Sequence, residues 1–552
     1  MLQGTPIEFY SCSSEVDYVG MHQTFLTRRA LYLLVWDVAK FYDPDIKDPS
    51  KIVNEDIMKW LYILNFRAPG ATVILVANKC DLSIDGFKET ATKIETLVRI
   101  LLEEWQARRG FDNRLTQNPT EVMLLQGVNR VSCLDYGGIA ELVERILEQG
   151  ATSIQVPSSW NLALEVIDAL RDSRAPFEAA REYLKLPETM TTTGEEIDTI
   201  GHMTTKTELF RVWQTIIEHV SREMQARGEI AVVFNWESAL DGALLISEFA
   251  GQILCVDGGE VIFLDVGWIS YILSPIMSHR LEIETIQSAA LSEQRDSFIR
   301  DGVLQREFAL HIFRRALNET VPGSENREVD ALFRALFELR LSLPLGQMVT
   351  LADDPVMYTS CGDHESKDTL VIMRLPETCS ATLQSKIDFA ASKALKDSGE
   401  VTLKWGFDAA GSPYGLVERL IASCDVIGVV NRDACWRYGA LFKSRNMRTR
   451  RGKAVLSYTF IIRYNPQERI LTVRMIGSLA SGRFWAALRY VASTMVTLSV
   501  EWPGVQWEAW LIYSEHPNDR MYLAPPAEAR IGGLLLPAAA SGAPRDGYDC
   551  YL

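Results

Sequence analysis

The chain is 552 residues long, 47% hydrophobic and 23% charged, with a formal net charge of −16. That length and apolar content suit three or four compact domains with cores of their own, and the acidic balance excludes a general nucleic-acid binder. Nine cysteines scattered from Cys12 to Cys550 without a regular framework fit reduced thiols; with no apolar run of membrane-spanning length and no secretory signal order at the start, a cytoplasmic location is expected.

Ala30–Val38 (ALYLLVWDV) is a continuous apolar run, the pattern of a strand buried on both faces of a parallel sheet. Ile57, Trp60, Leu61 and Leu64 then recur at helical spacing, and Pro69-Gly70 breaks the chain before a second such run. That run, Ala71–Asp81 (ATVILVANKCD), ends in Asn-Lys-x-Asp. The Asp81 carboxylate can accept two hydrogen bonds from the N1–H and exocyclic amine of guanine, which adenine cannot offer. Asn78 is expected to hold the loop and touch the base edge, with the aliphatic stem of Lys79 over the ring. Taken alone, the tetrapeptide is also a common polar string after strands. Next come an amphipathic helix through Ile94, Leu97, Val98, Leu101 and Trp105, a short strand Val128–Cys133, and a helix carrying Ile139, Leu142, Val143 and Ile146. The order predicts an α/β unit, a parallel sheet with flanking helices, with two loops at strand carboxyl ends.

Beyond Val156-Pro157, helical signals dominate from Trp160 to His219, broken by the polar stretch Met190–Thr207, read as a loop. Gln252–Cys255 and Val261–Leu264 flank Asp257-Gly258-Gly259 as a hairpin between helices Ser238–Gly251 and Trp268–Ile276. This winged-helix-like order carries too little positive charge to read nucleic acid and is taken as scaffold. From about residue 331 strands dominate, with a hairpin of Val455–Tyr464 and Arg469–Ile476 and a covering helix over Ser481–Leu498. Trp502, Trp507 and Trp510 fill either a core or an intersubunit face. The basic run Lys443, Arg445, Arg448, Arg450, Arg451 and Lys453 reads as a solvated hairpin loop ahead of a contact with an anionic surface. Cys361 and His364 have metal-like spacing but no second pair, so no metal is expected. The tail 525–552 is expected to be disordered.

FLTRRALYLLVWDV, RAPGATVILVANKCD, VSCLDYGGIAELVERI and VPSSWNLAL together resemble the Roc domain of Roco proteins passing into its COR partner. VIFLDVGWISYIL at 261–273 resembles the first COR subdomain, and PYGLVERLIA, CWRYGALF and EWPGVQWEAW at 413–422, 435–442 and 501–510 resemble the second. The resemblance implies an incomplete Ras-like P-loop GTPase fold at 1–150, a mainly α+β two-part COR domain at 151–330 and 331–524, and a homodimer through the second COR subdomain. It implies guanine nucleotide, GTP or GDP, as ligand, with Mg2+ only where a phosphate loop is supplied. It also places Ser132, Cys133 and Leu134 where a Ser-Ala-Lys-type loop touches the guanine through a backbone amide.

Two departures accompany the resemblance. The phosphate loop G-x-x-x-x-G-K-[ST] occurs nowhere in the chain, which predicts a shortened amino terminus, lacking roughly 50 to 60 residues of a complete domain. Before the family-like Tyr18, His22, Gln23, Phe25 and Leu26, the expected Asp-x-x-Gly-Gln box reads Ser11-Cys12-Ser13-Ser14-Glu15. Ser11 replaces a magnesium-holding carboxylate and Glu15 brings negative charge toward a phosphate, so tight GTP binding and turnover are not expected of this chain. Two function classes stay open: a guanine-nucleotide-linked signalling and dimerisation module, and a nucleotide-independent interaction scaffold. A kinase would have to lie outside the chain, which has no Gly-rich kinase loop, H-R-D or D-F-G.

Overall fold

A computed structural model describes residues 26–41, 48–83, 85, 87–109, 122–150, 158–172, 174–185, 202–226, 236–277, 286, 288–317, 325–345, 348–351, 354–358, 368–394, 399–407, 412–424, 427–444, 447–448, 454–455, 458–478, 482–513 and 520–523. The degenerate box Ser11–Glu15, Tyr18, His22, Gln23, Phe25, the stretch 190–201, Cys361, His364, Arg445, Arg450, Arg451, Lys453 and the tail lie outside those residues. The fold is mixed α/β, one parallel sheet accompanied by antiparallel ones. It divides into two compact units: Glu144–Ile283 with Ala309–Glu338 and the residues before Leu31, and Leu31–Val143 with Glu284–Phe308 and the chain from Leu339.

In the second unit, strand β1 (Leu31–Asp37) pairs in parallel with β2 (Thr72–Asn78), from Leu31 opposite Thr72 to Asp37 opposite Asn78. Helices α1 (Pro49–Val53) and α2 (Lys59–Arg67), separated by a π turn, connect them. On the central strand Val73–Ala77 are all buried, as a run without alternation requires. Helix α3 (Lys88–Arg109) buries Ile94, Val98 and Trp105. Strand β3 (Met123–Arg130) pairs in parallel with β2, and α4 (Ile139–Gly150) follows. The third strand begins five residues before the expected Val128 and ends at Arg130, which puts Val131–Cys133 in the loop. Gln126-Gly127 interrupts the apolar run and hides the first half. The strand forms because helix α3 satisfies its backbone: Glu95 accepts from the Gly127 N–H at 2.7 Å and Arg99 donates to the Leu125 carbonyl at 2.8 Å.

The first unit holds α5 (Ser158–Arg171), α6 (Pro176–Tyr183), β4 (Met203–Thr205), α7 (Lys206–Ala226), α8 (Trp236–Phe249), β5 (Leu254–Val256), β6 (Val261–Phe263) and α9 (Val266–Met277). Helix, hairpin and helix come in the expected order. The end of the polar stretch read as loop is instead ordered: Met203–Thr205 pairs antiparallel with β6. Thr205 and Glu208 then form a reciprocal capping box, each side chain accepting the other's backbone N–H at 3.2 Å, which starts α7. Trp213, fully buried, centres a core shared with α5 and α8.

The carboxyl-terminal half of the second unit is a seven-stranded antiparallel sheet. It contains β7 (Gly399–Phe407), β8 (Gly428–Trp436), β9 (Gly439–Ser444), β10 (Tyr458–Asn465), β11 (Ile470–Gly477), β12 (Trp507–Tyr513) and β13 (Arg520–Leu523), in the order β8-β9-β10-β11-β7-β12-β13. Helix α10 (Leu416–Ser423) and helix α11 (Gly482–Glu501) cover it; α11 buries Phe484, Leu488, Val491, Met495 and Leu498. Trp502 and Trp507 belong to this core, and the Trp507 indole donates to the Ser499 hydroxyl at 3.0 Å. Of the three rings only Trp510 is partly exposed. Inside this half Glu418 and Arg437, both buried, pair at 2.9 Å, and Arg437 also reaches Glu377.

The parallel sheet and this antiparallel half share one core, for Phe66 at the end of α2 packs into it. Glu501 collects Arg67, Arg340 and Arg419, and the guanidiniums of Arg67 and Arg419 stand over the Trp502 ring at 5.5 and 5.1 Å. Burial first, and the Arg419 charge second, push the Arg67 guanidinium down to about 10, and Glu501 opposes the shift.

Candidate functional site

A parallel sheet brings the carboxyl ends of its strands to one edge, where connecting loops open a crevice. The loops after β2 and β3 meet there. They are tied together by the Cys80 N–H donating to the Val131 carbonyl at 3.1 Å and the Val131 N–H donating to Ala77 at 2.8 Å. Between them lies a cavity of about 390 Å³ lined by Asn78, Lys79, Asp81, Leu82, Cys133 and Leu134.

Each side of the pocket has a local cause. Lys79 adopts a left-handed backbone, φ 67°, and its N–H donates to the Asn78 side-chain carbonyl at 2.8 Å, so Asn78 braces the turn that presents Asp81. Asp81 is exposed, and its carboxylate carries no hydrogen bond among the described residues. On the other side Ser132 is buried and its hydroxyl accepts from the N–H groups of Leu134 and Asp135 at 3.2 and 3.4 Å. The Asp135 carboxylate, which the Gly137 N–H and then the Ser132 hydroxyl hold below its usual range, closes the turn. Gly138, φ 73°, is required: a Cβ there would stand 2.0 Å from the Arg130 carbonyl. With the amides on both sides engaged, the Cys133 N–H makes no hydrogen bond among the described residues. The pocket therefore offers one carboxylate acceptor and one backbone donor between apolar walls, Leu82 at 61% and Leu134 at 80% exposure. That combination suits a flat heteroaromatic ring carrying adjacent donors and an acceptor.

All six residues singled out in the sequence gather here, five lining the cavity and Ser132 bracing it from below. Two were missed. Leu82 is the residue after the motif. Asp37 ends the neighbouring strand directly opposite Asn78, and its carboxylate pairs with the Lys79 ammonium at 2.6 Å. The parallel register that brings Asp37 there leaves no local trace in the sequence. Among the described residues no group of three or more His, Cys, Asp or Glu is placed to hold a metal ion. No helix among them is long and apolar enough to cross a membrane. No family model matches the chain, and no curated protein sequence matches it.

Proposed function

We propose that the pocket reads guanine, within a Roc–COR-type regulatory module whose ligand state is linked to self-association. The observation that carries this is the unengaged Asp81 carboxylate sharing one cavity with the unengaged Cys133 N–H. In this reading Asp81 accepts from the guanine N1–H and exocyclic amine, and the Cys133 N–H donates to O6. The Lys79 stem and Leu82 and Leu134 cover the ring. Adenine has an amine in place of O6 and no N1–H, so both polar contacts fail together. Asp81→Asn is expected to weaken guanine recognition by about 1.5–3 kcal/mol, measured by titrating labelled GDP and ADP against both proteins. Equal affinity of the wild type for the two labels removes the guanine reading.

The self-association half rests on the strand-rich carboxyl-terminal region and its aromatic side chains. Trp502 and Trp507 are already spent on the core, so Trp510 is the ring left to serve an isologous face. The chain is expected to sediment as a dimer at micromolar concentration, and Trp510→Ala to weaken the dimer by on the order of 2 kcal/mol while preserving circular dichroism. Sedimentation of a strictly monomeric, well-folded wild type would leave the pocket without a dimer to control. The whole chain is the object to measure, because Phe66 from the parallel sheet completes the carboxyl-terminal core.

A further inference from the structure

Resting on the guanine reading of the pocket, we infer that Asp37 is a positioning residue of the site: it anchors the Lys79 ammonium so that the aliphatic stem stands as a fixed wall before any ligand arrives. The stem is held at both ends. At its root the Lys79 backbone is left-handed, φ 67°, and its N–H is tied to the Asn78 side-chain carbonyl at 2.8 Å. At its tip the ammonium donates to the Asp37 carboxylate at 2.6 Å. Asp37 is the firmer partner, its side chain 22% exposed against 54% for Lys79. The other Asp37 oxygen accepts the Ala39 N–H at 3.0 Å, which orients the carboxylate, and strand register sets Asp37 directly opposite Asn78.

Between those two anchors Lys79 lines the cavity beside Asn78 and Asp81. Asp37 is not among the residues that line it, so its influence on a ligand passes through Lys79. A lysine side chain is rich in rotamers, and ordering it only when a ring arrives costs affinity. The pair with Asp37 orders it in advance, so the ring meets a prepared surface. The ammonium end of the pair is half exposed, and dissolved salt loosens such a pair. Hydrogen bonds and ring contacts to an uncharged nucleoside have little salt dependence of their own. Salt sensitivity toward a neutral ligand is therefore the mark of the tether.

The test is calorimetric titration of the whole chain with guanosine and adenosine, at low and at physiological salt, in the wild type, Asp37→Asn, Lys79→Met and the double variant. Asp37→Asn keeps an acceptor for the Ala39 N–H, and Lys79→Met keeps an unbranched apolar stem without the ammonium. Asp37→Asn is expected to weaken guanosine binding by about two- to fivefold, the span of an exposed ion pair. Lys79→Met is expected to cost a similar factor and to make the Asp37 substitution silent when the two are combined. As salt is raised, wild-type affinity for guanosine is expected to fall toward that of Asp37→Asn, while that of Lys79→Met stays level. An Asp37→Asn loss that persists in full on top of Lys79→Met would assign Asp37 to bracing the strand end. Unchanged or tighter binding in Asp37→Asn would leave it without a role. Either result overturns the inference, while a wild-type preference for guanosine over adenosine keeps the guanine reading. Guanosine no tighter than adenosine in the wild type, or no binding of either, removes the guanine reading and the inference with it. The wild-type salt series decides the matter even if the variants fail to fold, because guanosine affinity that does not change with salt overturns the tether.

Discussion

Replacing Glu501 with alanine is expected to destabilise the second unit by about 3 kcal/mol, read as a lowered urea midpoint of its tryptophan-fluorescence transition. The reason is charge balance in a confined place. Glu501, at the end of α11, is the carboxylate shared by Arg67, Arg340 and Arg419, and the Arg67 guanidinium also donates to the Glu501 backbone carbonyl. Arg419 is buried, and burial lowers its pKa as it does that of Arg67. Removing the carboxylate leaves three guanidiniums without the group they share, two of them largely buried against Trp502, an arrangement far costlier than an exposed ion pair is worth. The lower end of the range for buried pairs applies because Glu501 keeps some contact with solvent.

The accompanying control follows from the same cause. Arg419→Met, introduced on top of Glu501→Ala, removes the most deeply buried of the three guanidiniums and is expected to recover part of the loss, so that the two substitutions together cost less than their sum. Additive losses, or a Glu501→Ala cost below about 1 kcal/mol, would mean that water already serves these guanidiniums and that the cluster does not hold the two halves of the unit together.

Local pattern was enough for elements whose burial is continuous. β1 came out within a residue at each end, and β2 begins within a residue of its run and ends at Asn78, inside it, because a strand covered on both faces needs no alternation and its apolar run stands alone. The pocket's lining followed from the same fact, since a loop after such a strand must lie at the sheet's carboxyl edge. What failed was everything decided by a distant partner. The first half of β3 depends on Glu95 and Arg99 from α3. β4 depends on pairing with β6, some sixty residues later, although the Thr205-x-x-Glu208 capping box was a local signal that went unread. Asp37 reaches Lys79 through strand register alone. For the tryptophans, spacing put the core first and an interface second for all three alike, and only the packed positions of Trp502 and Trp507 separate them from Trp510.

Gly504→Ala is expected to be as damaging as the loss of Glu501, about 3 kcal/mol, and to act through a contact that cannot yield. A Cβ at this position would stand 1.8 Å from the Asn65 carbonyl oxygen, 2.8 Å from its carbon and 3.1 Å from the Phe66 Cα, all of them backbone atoms. Those atoms are fixed from several directions. The Asn65 side-chain amide donates to the Leu61 carbonyl at 2.8 Å and its oxygen accepts the Val122 N–H at 3.0 Å. The Phe66 ring fills the shared core, and its carbonyl accepts the Gly504 N–H at 3.0 Å. Relief must therefore come from parting the parallel sheet from the carboxyl-terminal half, which breaks the Gly504 hydrogen bond and stretches the Glu501 cluster beside it. Because Asn65 also anchors Val122, at the entry to β3, the strain runs along the strand that leads to Ser132, Cys133 and Leu134. The variant is thus expected to lose stability in urea and affinity for labelled GDP together. An unchanged urea midpoint would show that the two halves separate freely at this point, and an unchanged affinity in a destabilised protein would show that β3 keeps its place without them.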